Sequence, residues 1–220
     1  MWCIPPKQNA DFVAKMEDVL DVYALPYDEK YPVVCIDEKP YQLIAEVREP
    51  LPTKQGSPQK IDNEYERCGT SSIFVVIEPL TGRRYAHARN YRTAIDFAYE
   101  IEDLVRNYAN AVKILLVLDN LNTHTISSLY KAFPAEKARE LAKKIEIHYT
   151  PKHGSWLNIA EIAISILSKQ CINKRISNIE KLNSEISAWQ KFSNDNLRKV
   201  NWHFTTSDAR VKLKSLYPVF

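Results

Sequence analysis

The sequence lacks the features that mark membrane and secreted proteins. No stretch of about 18 or more consecutive apolar residues occurs, so the sequence contains no candidate transmembrane helix. The N-terminus, MWCIPPKQNADF, has no charged segment followed by an apolar one, which is the pattern of a secretory signal peptide. We therefore expect a cytoplasmic protein with no membrane partner.

Compact metal-binding motifs are also missing. No two cysteines form a CxxC pair, which argues against a thiolate zinc site and against a disulfide framework, so we expect reduced thiols. The histidines show no HExxH spacing, and we interpret His148 and His153 as structural residues or as contacts at the edge of a site. The residues concerned are Cys3, Cys35, Cys68, Cys171, His87, His124, His148, His153 and His203.

The overall composition is that of an ordinary globular protein. Of 220 residues only 4 are glycine, while 45% are hydrophobic and 26% are charged. This length suits one large domain or two small ones, with enough chain to bury a real core. No internal repeat or low-complexity tract is present.

Charge is unevenly distributed along the chain. The formal net charge is +3, but residues 151–220 contain 11 Lys or Arg against 5 Asp or Glu. A basic C-terminal part is compatible with a polyanionic partner such as DNA. A solvated helical surface explains the same charges equally well.

The segment KILLVLDN, residues 113–120, is the centre of the predicted fold. Its uninterrupted apolar run is typical of a strand covered on both faces of an α/β sheet. Asp119 follows this run, at the carboxyl end of the strand, which is the edge where open α/β folds usually build their sites. A second apolar run, Val33 to Ile36, ends on Asp37 in the same way.

The order of elements predicts an α/β protein with a mixed five-stranded sheet flanked by helices. The first three strands are expected to be antiparallel neighbours, with a hairpin turn at 79–82. Domain limits are predicted at 1–30 for a helical lead-in, 31–175 for the core and 176–220 for a C-terminal helical extension. The expected helices cover about 11–25, 93–111, 124–143 with Thr123 as the N-cap, 156–174 and 179–199.

Three carboxylates are expected to converge on this fold. Asp37 ends the first strand, Asp119 ends the fourth, and Glu161 lies in the first turn or two of the helix after the fifth, on one helical face with Asn158. Singly, such acids are explained as turn, cap or solvated residues. Together they would repel one another unless a hard cation neutralised them, and oxygen ligands suit magnesium or manganese. Two such ions about 3.5–4 Å apart are the usual arrangement for phosphodiester chemistry.

The chain resembles the catalytic half of bacterial insertion-sequence transposases of the mariner-like DDE superfamily, which have an RNase H-like fold. The resemblance covers essentially all 220 residues. Its motifs are WCIPP at 2–6, VVCIDEKPYQLIAE at 33–46, YERCGTSSIFVVIEPLTG at 65–82, VLDNLNTH at 117–124, HYTPKHGSWLNIAEIAISILSKQC at 148–171 and NWHFTTSDARVKLKSLYP at 201–218.

The resemblance assigns the acidic triad to Asp37, Asp119 and Glu161 as ligands of two Mg²⁺ or Mn²⁺ ions, and it implies cleavage of DNA ends followed by strand transfer. Glu38 is assigned no comparable role. The expected partners are double-stranded DNA and a second copy of the chain. Candidate DNA contacts are Lys39, Asn120, His124, Lys152, Trp156, Asn158, Lys169, Lys174 and Arg175, and Asn122 is also a motif position. Solvated lysines and a tryptophan that anchors a helix are the alternative interpretation.

One family feature is missing from the sequence. Such transposases usually carry an N-terminal helix-turn-helix region that recognises the element's ends, whereas this sequence begins just before the catalytic part. We expect that region to be encoded by a separate or frameshifted reading frame, or this copy to be truncated. The alternatives are an RNase H-like nuclease without strand transfer, and an inactive remnant that only binds DNA. A bacterial, nucleoid-associated protein is implied.

Overall fold

The computed structural model describes residues 4, 5 and 7–219, so Trp2, Cys3 and Pro6 of the first motif lie outside the described residues. Over the described part, the chain forms five strands and seven α-helices, with short 3₁₀ turns at Ser155–Leu157 and Lys214–Leu216. In chain order the elements are α1 (Ala10–Tyr23), β1 (Val33–Glu46), β2 (Tyr65–Glu78), β3 (Arg83–Arg89), α2 (Ala94–Asn107), β4 (Ile114–Leu118), α3 (Ser127–Ala132), α4 (Ala135–Lys144), β5 (Ile145–Tyr149), α5 (Ala160–Gln170), α6 (Ile179–Asp195) and α7 (Thr206–Lys212). None of the described helices is long and apolar enough to cross a membrane.

The strands form one mixed sheet in the order β3-β2-β1-β4-β5. The pairs β1–β2 and β2–β3 are antiparallel, while β4 is parallel to both β1 and β5. The predicted five-stranded mixed sheet and its antiparallel first three strands are therefore confirmed.

Strand β4 is buried on both faces, as its unbroken apolar sequence predicts. Leu115 and Val117 belong to the hydrophobic cluster on one side of the sheet, which also contains residues of α1, α5, α6 and α7. Ile114, Leu116 and Leu118 belong to the cluster on the other side, with α2, α3 and α4. Side chains alternate across a strand, so a strand between two helical layers needs apolar residues at every position. Residues of the N-terminal helix α1 and of the C-terminal helices α6 and α7 belong to the first of these clusters, so both segments pack on the core.

Strand β1 is longer than predicted. The expectation that it ends at Asp37 is wrong, because the strand continues to Glu46 as one arm of a long ribbon with β2. Pairing with β4 nevertheless stops at Cys35 opposite Val117. Asp37 therefore lies within β1 but at the end of its parallel pairing with β4. Beyond Asp37 the strand is continued by its pairing with β2, whose residues are about 20 to 40 positions away in the chain. The local sequence therefore does not predict this continuation.

The predicted helix over 124–143 is two helices. Phe133 adopts an extended conformation between α3 and α4, as the residue before a proline prefers, and Pro134 has no N–H with which to continue α3. The expected N-cap is also wrong, because α3 begins after Ile126, with no side-chain cap, while the main-chain carbonyl of Thr123 accepts a bond from Ser128.

The chain after β5 differs from the expected helix over 156–174. A 3₁₀ turn occupies Ser155–Leu157, and α5 starts only at Ala160. Asn158 precedes α5 and is buried, whereas Glu161 is exposed in its first turn, so the two do not share a helical face. Helix α6 ends at Asp195, before the expected limit at Lys199.

Three side-chain amides of α6 cover the outer edge of β3. Asn183 donates to the carbonyl of Ala88 and accepts from its N–H, at 3.0 and 2.8 Å. Asn194 forms the same pair of bonds with Arg84, at 2.8 and 2.9 Å, and Gln190 accepts from Ala86 N–H at 3.0 Å. This amide ladder occupies backbone groups that an edge strand otherwise leaves unpaired.

Candidate active site

The sheet brings Asp37 and Asp119 together. Each residue lies two positions beyond the last parallel pair of β1 and β4, Cys35 opposite Val117. Burial raises the pKa of Asp37 most, and the nearby carboxylates of Glu161 and Asp119 raise it further, as expected for neighbouring acids. These two residues are thus adjacent at the carboxyl end of β4, where the sequence places the site.

Asn158 ties the start of α5 to β1. Its side-chain N–H donates to the carbonyl of Ile36 at 2.9 Å, and its side-chain oxygen accepts from the N–H of Ala160 at 3.1 Å. Glu161 follows directly in the first turn of α5, and its charge also raises the pKa of Asp37. Asn158 therefore positions Glu161 relative to Asp37.

The carboxyl group of Asp37 has a raised pKa. Burial raises its pKa to about 7, and the carboxylates of Glu161, Asp119 and Glu38 act in the same direction, while a hydrogen bond from the Glu38 N–H opposes them. A carboxyl group whose pKa is raised mainly by burial, beside other carboxylates, is typical of a functional site.

His124 lies between two carboxylates. Its Nδ1 is 2.5 Å from an oxygen of Asp119, and its Nε2 is 2.6 Å from an oxygen of Glu38. Burial favours the neutral ring, but these bonds outweigh it and raise the pKa of His124 to about 9. Glu38, which the sequence analysis left without a role, is thus part of the site. Its local sequence carries no signal for this, because its partner is 86 residues away.

Asp119 opens onto a groove of about 450 Å³. Asn120 and Lys152, both exposed and both predicted DNA contacts, lie along this groove. His153 also borders it, as expected for an edge-of-site residue, and has a left-handed backbone with φ of 66°. Gly154 completes the turn, since a Cβ there would lie 2.5 Å from Pro151 Cγ.

The other predicted DNA contacts are scattered. Lys39 is half-buried on β1, and Lys169 is exposed near the end of α5. Lys174 is paired with Glu185 at 2.7 Å, and Arg175 with Glu46 at 2.5 Å. The half-buried Trp156 packs edge-on against Phe204, with ring centroids 6.0 Å apart, as in the anchoring interpretation.

Two predicted DNA contacts are turned inward. The His124 and Asn158 side chains are both buried, and the structure bonds both of them to other parts of the protein. These two side chains are therefore not accessible for direct contact with DNA. Each of them instead bonds to another residue of the candidate site or of the strand beside it. Among the described cysteines, Cys35, Cys68 and Cys171 are free thiols, as expected, and Cys3 lies outside the described residues.

The donor set fits a divalent cation. The triad supplies only carboxylate oxygens, which hard cations such as Mg²⁺ and Mn²⁺ prefer. Burial raises the pKa of Asp37 most, and the carboxylates of Glu161, Asp119 and Glu38 add to this effect. Among the described residues, Glu38, Asp119 and His124 form a second combination whose ligand atoms lie within 4.8 Å of one another.

Comparison with family models assigns the chain to a known family. A model of the DDE superfamily endonuclease family matches residues 32–183, the segment that contains all three acids. The chain belongs to this DDE endonuclease family. A search of curated proteins finds no match.

Solved structures agree with this DDE assignment at the level of the fold. The chain is similar to the Mos1 mariner paired-end complex with Mn (TM-score 0.54, 13% identity, 90% of this chain and 61% of that one). It is also similar to the Mos1 transposase paired-end complex with left transposon end (0.58, 13%, 99% and 66%) and to the Mos1 strand transfer complex (0.56, 13%, 100% and 66%). The RNase H-like fold is thereby confirmed, and the chain spans less than two thirds of the length of these Mos1 chains.

Proposed function

We propose that this chain is the catalytic domain of a transposase that cleaves the ends of a DNA element and joins them to target DNA. The observation that carries the proposal is the convergence of Asp37, Asp119 and Glu161, from β1, β4 and α5, beside an exposed groove in a DDE endonuclease. The comparisons with Mos1 paired-end and strand-transfer complexes support the same reaction class.

The chemistry consists of two in-line displacements at phosphorus. In cleavage, a water oxygen forms a bond to phosphorus, the water loses a proton, and the 3′ oxygen of the element end leaves. In strand transfer, that 3′ hydroxyl attacks a target phosphodiester and displaces a second 3′ oxygen. Both displacements need a dense negative site that accepts cations and an approach for DNA, which the triad and the groove provide.

We assign Asp37 and Asp119 as shared ligands of two Mg²⁺ or Mn²⁺ ions and Glu161 as a ligand of the second ion. When bound, such ions would supply Lewis-acid stabilisation of charge on the phosphoryl and leaving oxygens. Asp37 would bind such an ion as the carboxylate, while Asn158 holds the start of α5, and with it Glu161, against Ile36, next to Asp37. Two of the matched Mos1 structures hold Mn and Mg.

The proposed partners are double-stranded DNA ends, target DNA and a second copy of the chain on DNA, with a helix-turn-helix region supplied in cis or in trans. Lys152 and Asn120 border the groove beside Asp119, which favours them as contacts near the scissile phosphate. Lys169 is exposed further along α5 and suits a more distant phosphate.

The test compares Glu161→Gln with Glu136→Gln on a pre-cleaved end duplex that carries a free 3′ hydroxyl, mixed with a plasmid target and Mn²⁺. Glu136 is a matched control, because it is likewise the exposed second residue of a helix, α4. We expect Glu161→Gln to lower nicking and joining about 100-fold or more, since it removes a metal-ligating charge without changing shape. Glu136→Gln should match the wild type.

Three results would contradict the proposal in different ways. Nicking without joining would favour the RNase H-like nuclease. If the wild-type protein bound metal and DNA but neither nicked nor joined DNA, the inactive remnant would be favoured. Equal activity of both variants would show that Glu161 is not the third acid.

A further inference from the structure

The Glu38–His124–Asp119 chain joins one proposed metal ligand, Asp119, to two buried side chains. The exposed fraction of the side chain is 1% for His124 and 4% for Glu38, against 31% for Asp119. Both ring nitrogens lie at hydrogen-bond distance from carboxylate oxygens, 2.5 Å for Nδ1 and 2.6 Å for Nε2. The ring therefore links the buried Glu38 side chain to Asp119.

The surrounding fold fixes this ring. Phe97 packs against it, with ring centroids 4.6 Å apart. The His124 N–H donates to the carbonyl of Leu121 at 3.0 Å, and its own carbonyl accepts from the hydroxyl of Tyr149 at 2.7 Å. Glu38 is held in turn by strand pairing opposite Phe74. These contacts hold the backbone and the ring of His124 in place, with Nδ1 on Asp119.

The same three residues could alternatively hold a cation directly, since their ligand atoms lie within 4.8 Å of one another. Two observations disfavour this reading. A metal ligand histidine must offer a neutral nitrogen, whereas both nitrogens of His124 are engaged by carboxylates. A catalytic cation also needs open coordination positions for its substrate, and Glu38 and His124 are almost fully buried.

We propose that Glu38 and His124 are positioning residues: Glu38 anchors the His124 ring, and the ring holds one oxygen of Asp119, so that its carboxylate is oriented before a catalytic cation binds. This inference rests on the proposed function, in which Asp119 is a metal ligand. Partners behind a ligand act in this way in many metal sites.

The test is Glu38→Gln, with Glu100→Gln as the matched control. Glu100 is also a buried glutamate held by one cationic side chain, Arg89, but it lies on α2. Two quantities are measured on the full chain: the melting temperature without metal, and Mn²⁺ binding by calorimetry, which gives affinity and stoichiometry. A third measurement is the Mn²⁺ concentration for half-maximal DNA nicking.

We expect both variants to melt below the wild type, because each weakens the hydrogen-bonded pair that a buried glutamate side chain forms with a basic side chain. Only Glu38→Gln should weaken Mn²⁺ binding, by about 10- to 100-fold at unchanged stoichiometry, and raise the Mn²⁺ requirement for nicking. Glu38→Asp keeps the negative charge on a shorter side chain. It should therefore bind Mn²⁺ more tightly than Glu38→Gln and less tightly than the wild type. The double variant Glu38→Gln with His124→Gln should have nearly the same Mn²⁺ affinity as Glu38→Gln alone, since Glu38 acts on Asp119 through the His124 ring.

Two outcomes overturn the inference. If Glu38→Gln melts at or above the wild-type temperature and loses one Mn²⁺ site, Glu38 is a ligand, because removing one of several repelling acids stabilises an empty metal site. If its Mn²⁺ affinity is no weaker than that of Glu100→Gln, the pair has only a structural role. Failure of the proposed function is distinct, because then wild-type protein and the variant Asp37→Asn with Asp119→Asn would bind Mn²⁺ equally.

Discussion

At the scale of single residues, the site combines one acid that resists ionisation with one imidazole that resists neutralisation. Burial and the neighbouring carboxylates raise the pKa of Asp37 to about 7, and the carboxylates around His124 raise its pKa to about 9. An unfolded chain has ordinary values of about 3.9 and 6.5 for these groups. Both groups therefore bind protons more tightly in the folded protein than in the unfolded one.

This difference predicts how the metal-free protein responds to pH. Between about pH 4 and 7 the folded state holds a proton on Asp37 that the unfolded state has lost, so the free energy of unfolding should fall as pH rises, by at most about 4 kcal/mol. His124 continues the trend, since its contribution is complete below about pH 6.5 and lost on passing pH 9. Chemical denaturation at several pH values measures the slope.

Asp37→Asn is the control for this pH dependence. The variant cannot titrate at position 37, so its unfolding free energy should lack the decrease between pH 4 and 7. Added Mn²⁺ should stabilise the wild type increasingly as pH rises through 7, because cation binding needs the ionised carboxylate. Identical pH profiles of the two proteins would show that Asp37 has an ordinary pKa.

Acids that follow apolar runs are the part of the candidate site that the local sequence predicts. Asp37 and Asp119 are found in this way, although β1 continues past Asp37 and only its pairing with β4 stops there. Glu161 is predicted by its place in the helix after the fifth strand and by the family motif. Glu38 and Asn158 could not be assigned in the same way. Their roles depend on His124 and on the carbonyl of Ile36, which are distant in sequence and meet them only after folding.

At the scale of elements, α6 acts on β3 through its amide ladder rather than through apolar packing alone. Asn183 pairs with both backbone groups of Ala88. Asn183→Ala should therefore lower the free energy of unfolding by about 1 to 3 kcal/mol, the cost of leaving such groups without partners. Denaturant titration measures the change.

Asn196→Ala is the comparison for this variant, because the Asn196 side chain is exposed and bonds only to the local carbonyl of Phe192. It should change stability by less than about 0.5 kcal/mol. Equal destabilisation by the two substitutions would mean that the ladder contributes no more than a surface contact.

Element limits show why periodicity predicts helices better than it predicts their ends. The apolar spacing over 124–143 is helical in both halves, so the pattern alone joins α3 to α4, and only Pro134 marks the break. The start of α5 is displaced for a different reason. Tyr23 donates to the carbonyl of Leu157 at 2.7 Å, and this contact with α1 accompanies a 3₁₀ turn where the sequence predicts helix.

At the scale of the whole molecule, the basic C-terminal part suits weak binding to DNA of any sequence. We expect affinity to fall steeply with salt, with a slope of log K against log salt near −0.9 for each phosphate contact. A salt titration by fluorescence anisotropy, on an inverted-repeat duplex and a scrambled duplex of equal length, measures this slope. The candidate contacts are Lys169, Lys174, Arg175, Arg198 and Lys199.

The ion pairs refine that expectation. Lys169→Ala should reduce the magnitude of the salt slope by about 1. Lys174→Ala should change the slope less, because Lys174 must break its ion pair with Glu185 before it can contact a phosphate. Strong preference of this chain alone for the inverted repeat, persisting at high salt, would show that the catalytic domain itself reads bases.

The position of α6 in the chain has a consequence for synthesis. Asn183 follows its partner Ala88 by 95 residues, so a ribosome completes the outer strand of the sheet long before the helix that shields it. At roughly 5 to 20 residues per second, the interval is roughly 5 to 20 seconds. During that time the nascent sheet carries an open edge that can pair with other chains. Polypeptides released before residue 179 would keep that edge permanently, and we expect them to aggregate.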